Sequence, residues 1–161
     1  MSYELDLSGE WWCGWQTWKD REPRIDTHTM EVHQRGELPQ LDADRARALE
    51  DGSYRWRGEL RLWDNAALMG WYRSTGGAVR SKGTLYLALH PHGTHAWGRW
   101  VGMSYDGPVI SGWGTMARTV EEAFDAVKMM KEANPAGYTP SNGAQYPQSA
   151  YGDALRQIAQ I

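Results

Sequence analysis

Tyr54-Arg55-Trp56-Arg57-Gly58-Glu59-Leu60-Arg61-Leu62-Trp63-Asp64-Asn65-Ala66-Ala67-Leu68-Met69-Gly70-Trp71-Tyr72 decides how the rest of the chain is read. Tyr54, Trp56, Gly58, Leu60 and Leu62 fall on every second position, with Arg55, Arg57, Glu59 and Arg61 between them. A strand sends alternate side chains to opposite faces, so this pattern predicts one face inside and the other in water. Asp64-Asn65 then supplies turn residues, and a second short alternating segment begins.

Working outward from that hairpin, the same punctuation recurs. Arg35-Gly36, Asp51-Gly52, Gly76-Gly77, His92-Gly93 and Asp106-Gly107 divide the chain at even intervals. Eight strands are predicted, at about 8 to 18, 26 to 35, 37 to 43, 53 to 63, 66 to 74, 81 to 90, 94 to 105 and 109 to 118. The third is the weakest, and residues 44 to 50 before the fourth have helix-forming composition. In the sixth strand Leu85, Leu87 and Leu89 alternate with Thr84, Tyr86, Ala88 and His90, so the pattern leaves open which set faces inward. Glycines at 58, 70, 98, 102, 112 and 114 lie inside strands, where coiling of a small barrel and close approach of Trp rings both call for them.

After Arg118 the period changes. Thr119 with Glu122 three residues later forms a capping-box pattern, and Val120, Phe124, Val127 and Met130 follow at helical spacing. A helix from about 120 to 133 is therefore predicted against the barrel wall. Pro135, Pro140 and Pro147 read as an extended tail, and Ser149 then caps a last short helix with Leu155, Ile158 and Ile161. Its apolar stripe needs a partner, either the barrel mouth or a second subunit in a homodimer. The fold class is thus mainly β: an eight-stranded antiparallel up-and-down barrel over residues 1–133, with the helix outside, and a tail over 134–161.

Composition narrows the function. With 161 residues and a net charge of -3 spread over interspersed charges, duplex nucleic acid is not expected as a partner. No apolar run approaches the ~18 residues of a membrane helix, so no membrane partner is expected. The single cysteine, Cys13, permits no internal disulfide, and the first residues lack a signal peptide's basic and apolar regions, so a cytoplasmic location is expected. Ten Trp and eight Tyr stand against one Phe, which points either to a barrel filled by its own rings or to a cavity that stacks on a planar ligand.

Ser8-Gly9-Glu10-Trp11 on the first strand, the eight-strand order and Arg118 at the end of the last strand resemble the lipocalin-like (calycin) barrels. The resemblance implies that Trp11 packs under Arg118 and seals the barrel floor by a cation–π contact. The stretch from Trp56 to Tyr72, with 79 to 84 and Gly98-Arg99-Trp100-Val101-Gly102, is also similar to an actinobacterial barrel domain sometimes fused to helix-turn-helix regulators. That similarity implies intracellular ligand sensing.

The expected ligand is a small molecule, planar or partly apolar and open to an anionic group, held by a sensor or carrier. Trp15, Tyr54, Trp56, Tyr72, Tyr86 and Trp100 are the predicted lining residues. Arg73 and Arg99, with Arg80 and Lys82, are candidates to converge at one rim on a carboxylate or phosphate, an arrangement that would also suit a nucleotide signal. His90-Pro91-His92-Gly93-Thr94-His95 places three imidazoles around one turn, which reads as solvated, while His28 and His90 are the candidate histidines for reaching a cavity. No metal and no cofactor is predicted. No nucleophile elbow, P-loop or dinucleotide fingerprint occurs and the carboxylates are scattered, so no catalytic residue is named. A cyclase or isomerase with a cavity Tyr or His as acid, and an interaction module with a self-filled barrel, remain the alternatives.

Overall fold

The structure is a computed structural model and describes residues 4–19, 22–44, 55–75, 81–103 and 109–133. Eight strands follow one another, β1 (Gly9–Lys19), β2 (Glu22–Arg35), β3 (Leu38–Asp42), β4 (Trp56–Trp63), β5 (Ala67–Ser74), β6 (Lys82–Leu89), β7 (Ala96–Met103) and β8 (Val109–Ala117), and then a helix, α1 (Val120–Ala133). Each strand pairs antiparallel with the next, and β1 pairs with β8, so the sheet closes into a barrel and leaves no edge strand.

The alternation in β4 is resolved as its charges require. Trp56, Gly58, Leu60 and Leu62 are buried, while Arg57, Glu59, Arg61 and Trp63 are exposed. Asp64 and Asn65 both take positive φ, near +51° and +53°, the left-handed pair of a type I′ turn, in which the Ala66 amide donates to the Trp63 carbonyl at 2.8 Å. In β6, Leu85, Leu87 and Leu89 point inward and Tyr86 is 46% exposed on the outer wall. Three leucines facing the core outweigh one tyrosine whose hydroxyl keeps its water outside.

The second strand begins at Glu22, four residues before the predicted start, because β1 and β2 stay in register up to Lys19↔Glu22 as one long ribbon. The helix lies where its capping box places it, with the Glu122 amide donating to Thr119 Oγ1 at 3.2 Å. Gly14 lets α1 sit directly on β1, since a Cβ there would collide with the Ala123 carbonyl and the Val127 side chain. Thr115 Oγ1 on β8 donates to that same carbonyl at 2.9 Å. Among the described residues no helix is long and apolar enough to cross a membrane. The helical segment predicted at 44 to 50 falls almost wholly outside the described residues, and the tail helix entirely so.

Strand direction distinguishes the two ends. The β2–β3, β4–β5 and β6–β7 turns and the segment before β1 gather at one end, the floor. There Trp11 is fully buried, its Nε1 donates to the Leu7 carbonyl at 2.7 Å, and the Arg118 guanidinium lies 3.7 Å over its ring. This is the contact that the Gly-Glu-Trp motif and Arg118 implied. Arg118 also donates to the Glu10 carbonyl, and Asn65 and Gln34 side chains hold the Leu5 and Leu7 amides. The opposite end, toward which β1, β3, β5 and β7 run, is the mouth.

Candidate functional site

Side chains inside the barrel divide by level. Above Trp11 the floor half is sulfur and aliphatic: Cys13, Met30, Val32, Leu41, Leu60, Leu62, Leu68, Leu87, Leu89 and Met116. Burial alone holds the Cys13 thiol far above its ordinary pKa, so it is a small apolar group rather than a nucleophile. Toward the mouth the chemistry changes to Trp15, His28, Trp56, Tyr72 and Trp100, all less than a tenth exposed.

At the centre of this upper level is His28. Its Nε2 accepts hydrogen bonds from two indoles, Trp15 Nε1 at 2.9 Å and Trp56 Nε1 at 3.2 Å, which come from opposite sides of the sheet sequence. An atom that accepts two N–H donors carries no proton, so the proton sits on Nδ1, 2.9 Å from the Thr29 carbonyl. Desolvation moves the His28 pKa downward, outweighing the Thr29 carbonyl and Asp26, which act the other way. His28 is therefore a neutral clamp with both nitrogens engaged. It has no lone pair left for a metal bond, and its one N–H, on Nδ1, is already engaged by the Thr29 carbonyl.

Around that clamp the rings meet edge to face: Trp15 on Trp56 at 5.7 Å, His28 on Trp56 at 5.9 Å and Trp56 on Tyr72 at 6.3 Å between centroids. Glycines on the neighbouring strands make the room. A Cβ on Gly114 would strike the Trp15 ring, one on Gly112 the Trp100 indole, and one on Gly102 the Tyr72 hydroxyl. Trp100 Nε1 donates to the Gln16 carbonyl at 2.9 Å, and Trp18, on the β1–β2 ribbon beyond the last β1–β8 pair, sets its ring against Trp100 at 6.0 Å. On the same ribbon Asp26 binds Arg24 at 2.6 Å and accepts from Thr17 Oγ1 at 2.8 Å.

The structure thus brings together five predicted residues, Trp15, Trp56, Tyr72, Trp100 and His28. Tyr54 lies outside the described residues. Tyr86 and Arg73 are exposed on the outer wall, Arg73 between Arg57 and Lys82 in register. Arg99 also points outward, although it is only 6% exposed. His90 belongs to the floor end, in a turn where its ring lies 5.3 Å from His92 and 4.5 Å from His95, and burial together with those neighbours lowers its pKa. Among the described residues no group of three or more His, Cys, Asp or Glu is arranged to hold a metal. Gln16 and Trp18 were not singled out from the sequence. The signal for Trp18 was its place on the long Trp-rich first segment, and for Gln16 there was none, because its carbonyl and its side-chain oxygen accept from Trp100 and from the Trp113 amide, more than eighty residues away.

Comparison of the chain with protein-family models, with curated proteins and with solved structures finds no match in any of the three.

Proposed function

We propose that this barrel is a small-molecule binder, a sensor or carrier working in the cytoplasm, which holds a planar and largely apolar ligand against the aromatic level at its mouth. One observation carries the reading: the indole N–H groups of Trp15, Trp56 and Trp100 are all satisfied within the protein. The wall therefore offers ring faces and edges but no free indole donors, and ring contact is the kind of recognition it suits. With Arg73 and Arg99 on the outer wall, nothing in this reading asks the lumen to neutralise a charge. A proton-transfer enzyme is less well supported, because both nitrogens of the buried imidazole are already bonded.

A second reading has its own support. The aromatic rings pack on one another at 5.7 to 6.3 Å, the spacing of a core that fills itself. A self-filled barrel would leave its outer surface as the working part.

Native mass spectrometry of the protein purified from its own host, against a denatured control, tests the first reading. A non-covalent adduct that absorbs in the near ultraviolet, and that Trp100→Ala releases while leaving a folded barrel, is the expected result. A bare protein whose melting temperature does not respond to flat aromatic probes would overturn it in favour of the self-filled barrel.

A further inference from the structure

The outer wall opposite α1 carries a feature that the lumen does not explain. Strand register aligns Arg61, Met69, Tyr86, Arg99 and Trp113 in a single outward-facing row across β4 to β8. Over this row lies a groove of about 550 Å³, walled by Arg61, Trp63, Met69, Thr84, Tyr86 and Val101, with Arg99 in its lining. Trp63, Met69, Tyr86 and Val101 are each 38 to 46% exposed, an unusual concentration of apolar surface beside a cation.

The two arginines at its ends differ. Arg61 stacks 4.5 Å over Trp63 and reaches Glu37 at 3.3 Å, so its charge is matched. Arg99 lies 4.5 Å over Trp113 and donates from Nη2 to Ser111 Oγ at 2.7 Å, but its Nη1 is buried with no hydrogen-bond partner. No carboxylate pairs with it among the described residues. A buried guanidinium lacking an anion is costly, and desolvation pulls its pKa down from the usual arginine value. A hydroxyl and an indole face stabilise it only in part.

We propose that this groove is a second binding site, outside the barrel, for a small molecule in which a carboxylate is joined to a flat apolar body. The carboxylate takes Nη1 of Arg99 and completes the guanidinium's fork, and the body lies along Met69, Tyr86 and Val101 toward Trp63. Tyr86, directly opposite Arg99 in the ladder, is the side chain that turns aside to admit it. Charge-assisted bonds to a desolvated guanidinium are stronger than those to one in water, so the charge on the ligand decides binding.

Naphthalene-2-carboxylate is the probe, and its uncharged carboxamide is the control, each titrated into the full chain by calorimetry. The carboxylate should bind and the carboxamide should bind at least tenfold more weakly. Arg99→Met should lower carboxylate affinity at least tenfold, whereas Trp56→Phe should leave it unchanged, which separates this site from the lumen. Thr84→Trp fills the groove from an exposed position and should abolish binding; it decides the matter where Arg99→Met fails to fold. Equal binding of the two probes, binding that follows Trp56 instead of Arg99, carboxylate affinity untouched by Thr84→Trp, or no carboxylate binding at millimolar concentration would each overturn the proposal.

Discussion

The floor and mouth of this barrel both use tryptophan, and they use it differently. At the floor one indole is held by fixed partners: Trp11 donates to a main-chain carbonyl and is capped by the Arg118 guanidinium. At the mouth two indoles share one neutral imidazole, and their rings rest on glycine backbone and on one another. A carbonyl acceptor belongs to the fold and cannot be lost without unfolding it. A side-chain acceptor can be replaced, protonated or displaced. The floor is thus built as closure, and the mouth as an arrangement that chemistry can alter.

The sharpest way to test the contrast is to remove the large side chain from each end. Trp11→Ala empties a site that is 0% exposed beneath the strap at residues 5–7, and should cost about 3–5 kcal/mol. Urea denaturation would register it as a lower midpoint with an unchanged slope. Trp100→Ala at the mouth should cost clearly less, since Trp100 is 9% exposed and borders Trp18 on the ribbon. Equal losses at the two positions would mean that the mouth is core in the same sense as the floor.

His28→Leu is expected to rank next. It keeps the volume but strands two buried indole donors, at about 1–3 kcal/mol for each. His28→Gln can present an amide oxygen near the position of Nε2 and should recover part of the loss. If leucine is as stable as histidine in a denaturation series, the double acceptor does not organise the mouth.

How far this was legible in the sequence follows from the same division. The floor is written locally: Gly9-Glu10-Trp11 and Arg118 carry a recognisable spacing, and the contact they imply is present. The β4–β5 hairpin is readable because charged and apolar residues alternate in β4 and because Asp64-Asn65 can take positive φ. The facing of β6 is harder to read, since residues 84 to 89 carry no charge on either side and its single charge, Lys82, stands at the first position; the core it meets decides it. His28 was visible as a histidine near apolar residues. That it receives hydrogen bonds from indoles 13 residues before it and 28 after it depends on barrel closure, which no local pattern encodes. Arg99 was placed at a rim with Arg73 because both are cations on neighbouring stretches. Register separates them, sending Arg99 under the outer groove and Arg73 to exposed surface beside Arg57 and Lys82.

Acid should weaken the mouth before the floor. The folded pKa of His28 is depressed by burial, so below about pH 6.5 the unfolded chain takes up a proton that the folded barrel refuses. Stability is then full above that pH and falls as pH drops toward the folded value, with a slope of up to ~1.4 kcal/mol per pH unit from this one group. His90 shifts in the same direction at the surface, so the diagnostic quantity is the difference between the wild type and His28→Gln. The variant should flatten the dependence below pH 6.5, and parallel curves would remove His28 from the account.

The smallest expected effect completes the comparison from the floor side. Arg118→Gln removes the cation above Trp11 but leaves the ring buried and its Nε1 bonded to the Leu7 carbonyl. Because Arg118 is exposed, the cation–π contact and the bond to the Glu10 carbonyl together should be worth about 1 kcal/mol. Thermal denaturation should therefore show a drop of a few degrees, while any ligand held at the mouth keeps its affinity. A loss as large as that of Trp11→Ala would make the guanidinium, and not the buried indole, the closure of the barrel. A change in mouth affinity would show that the two ends are coupled through the strands that join them.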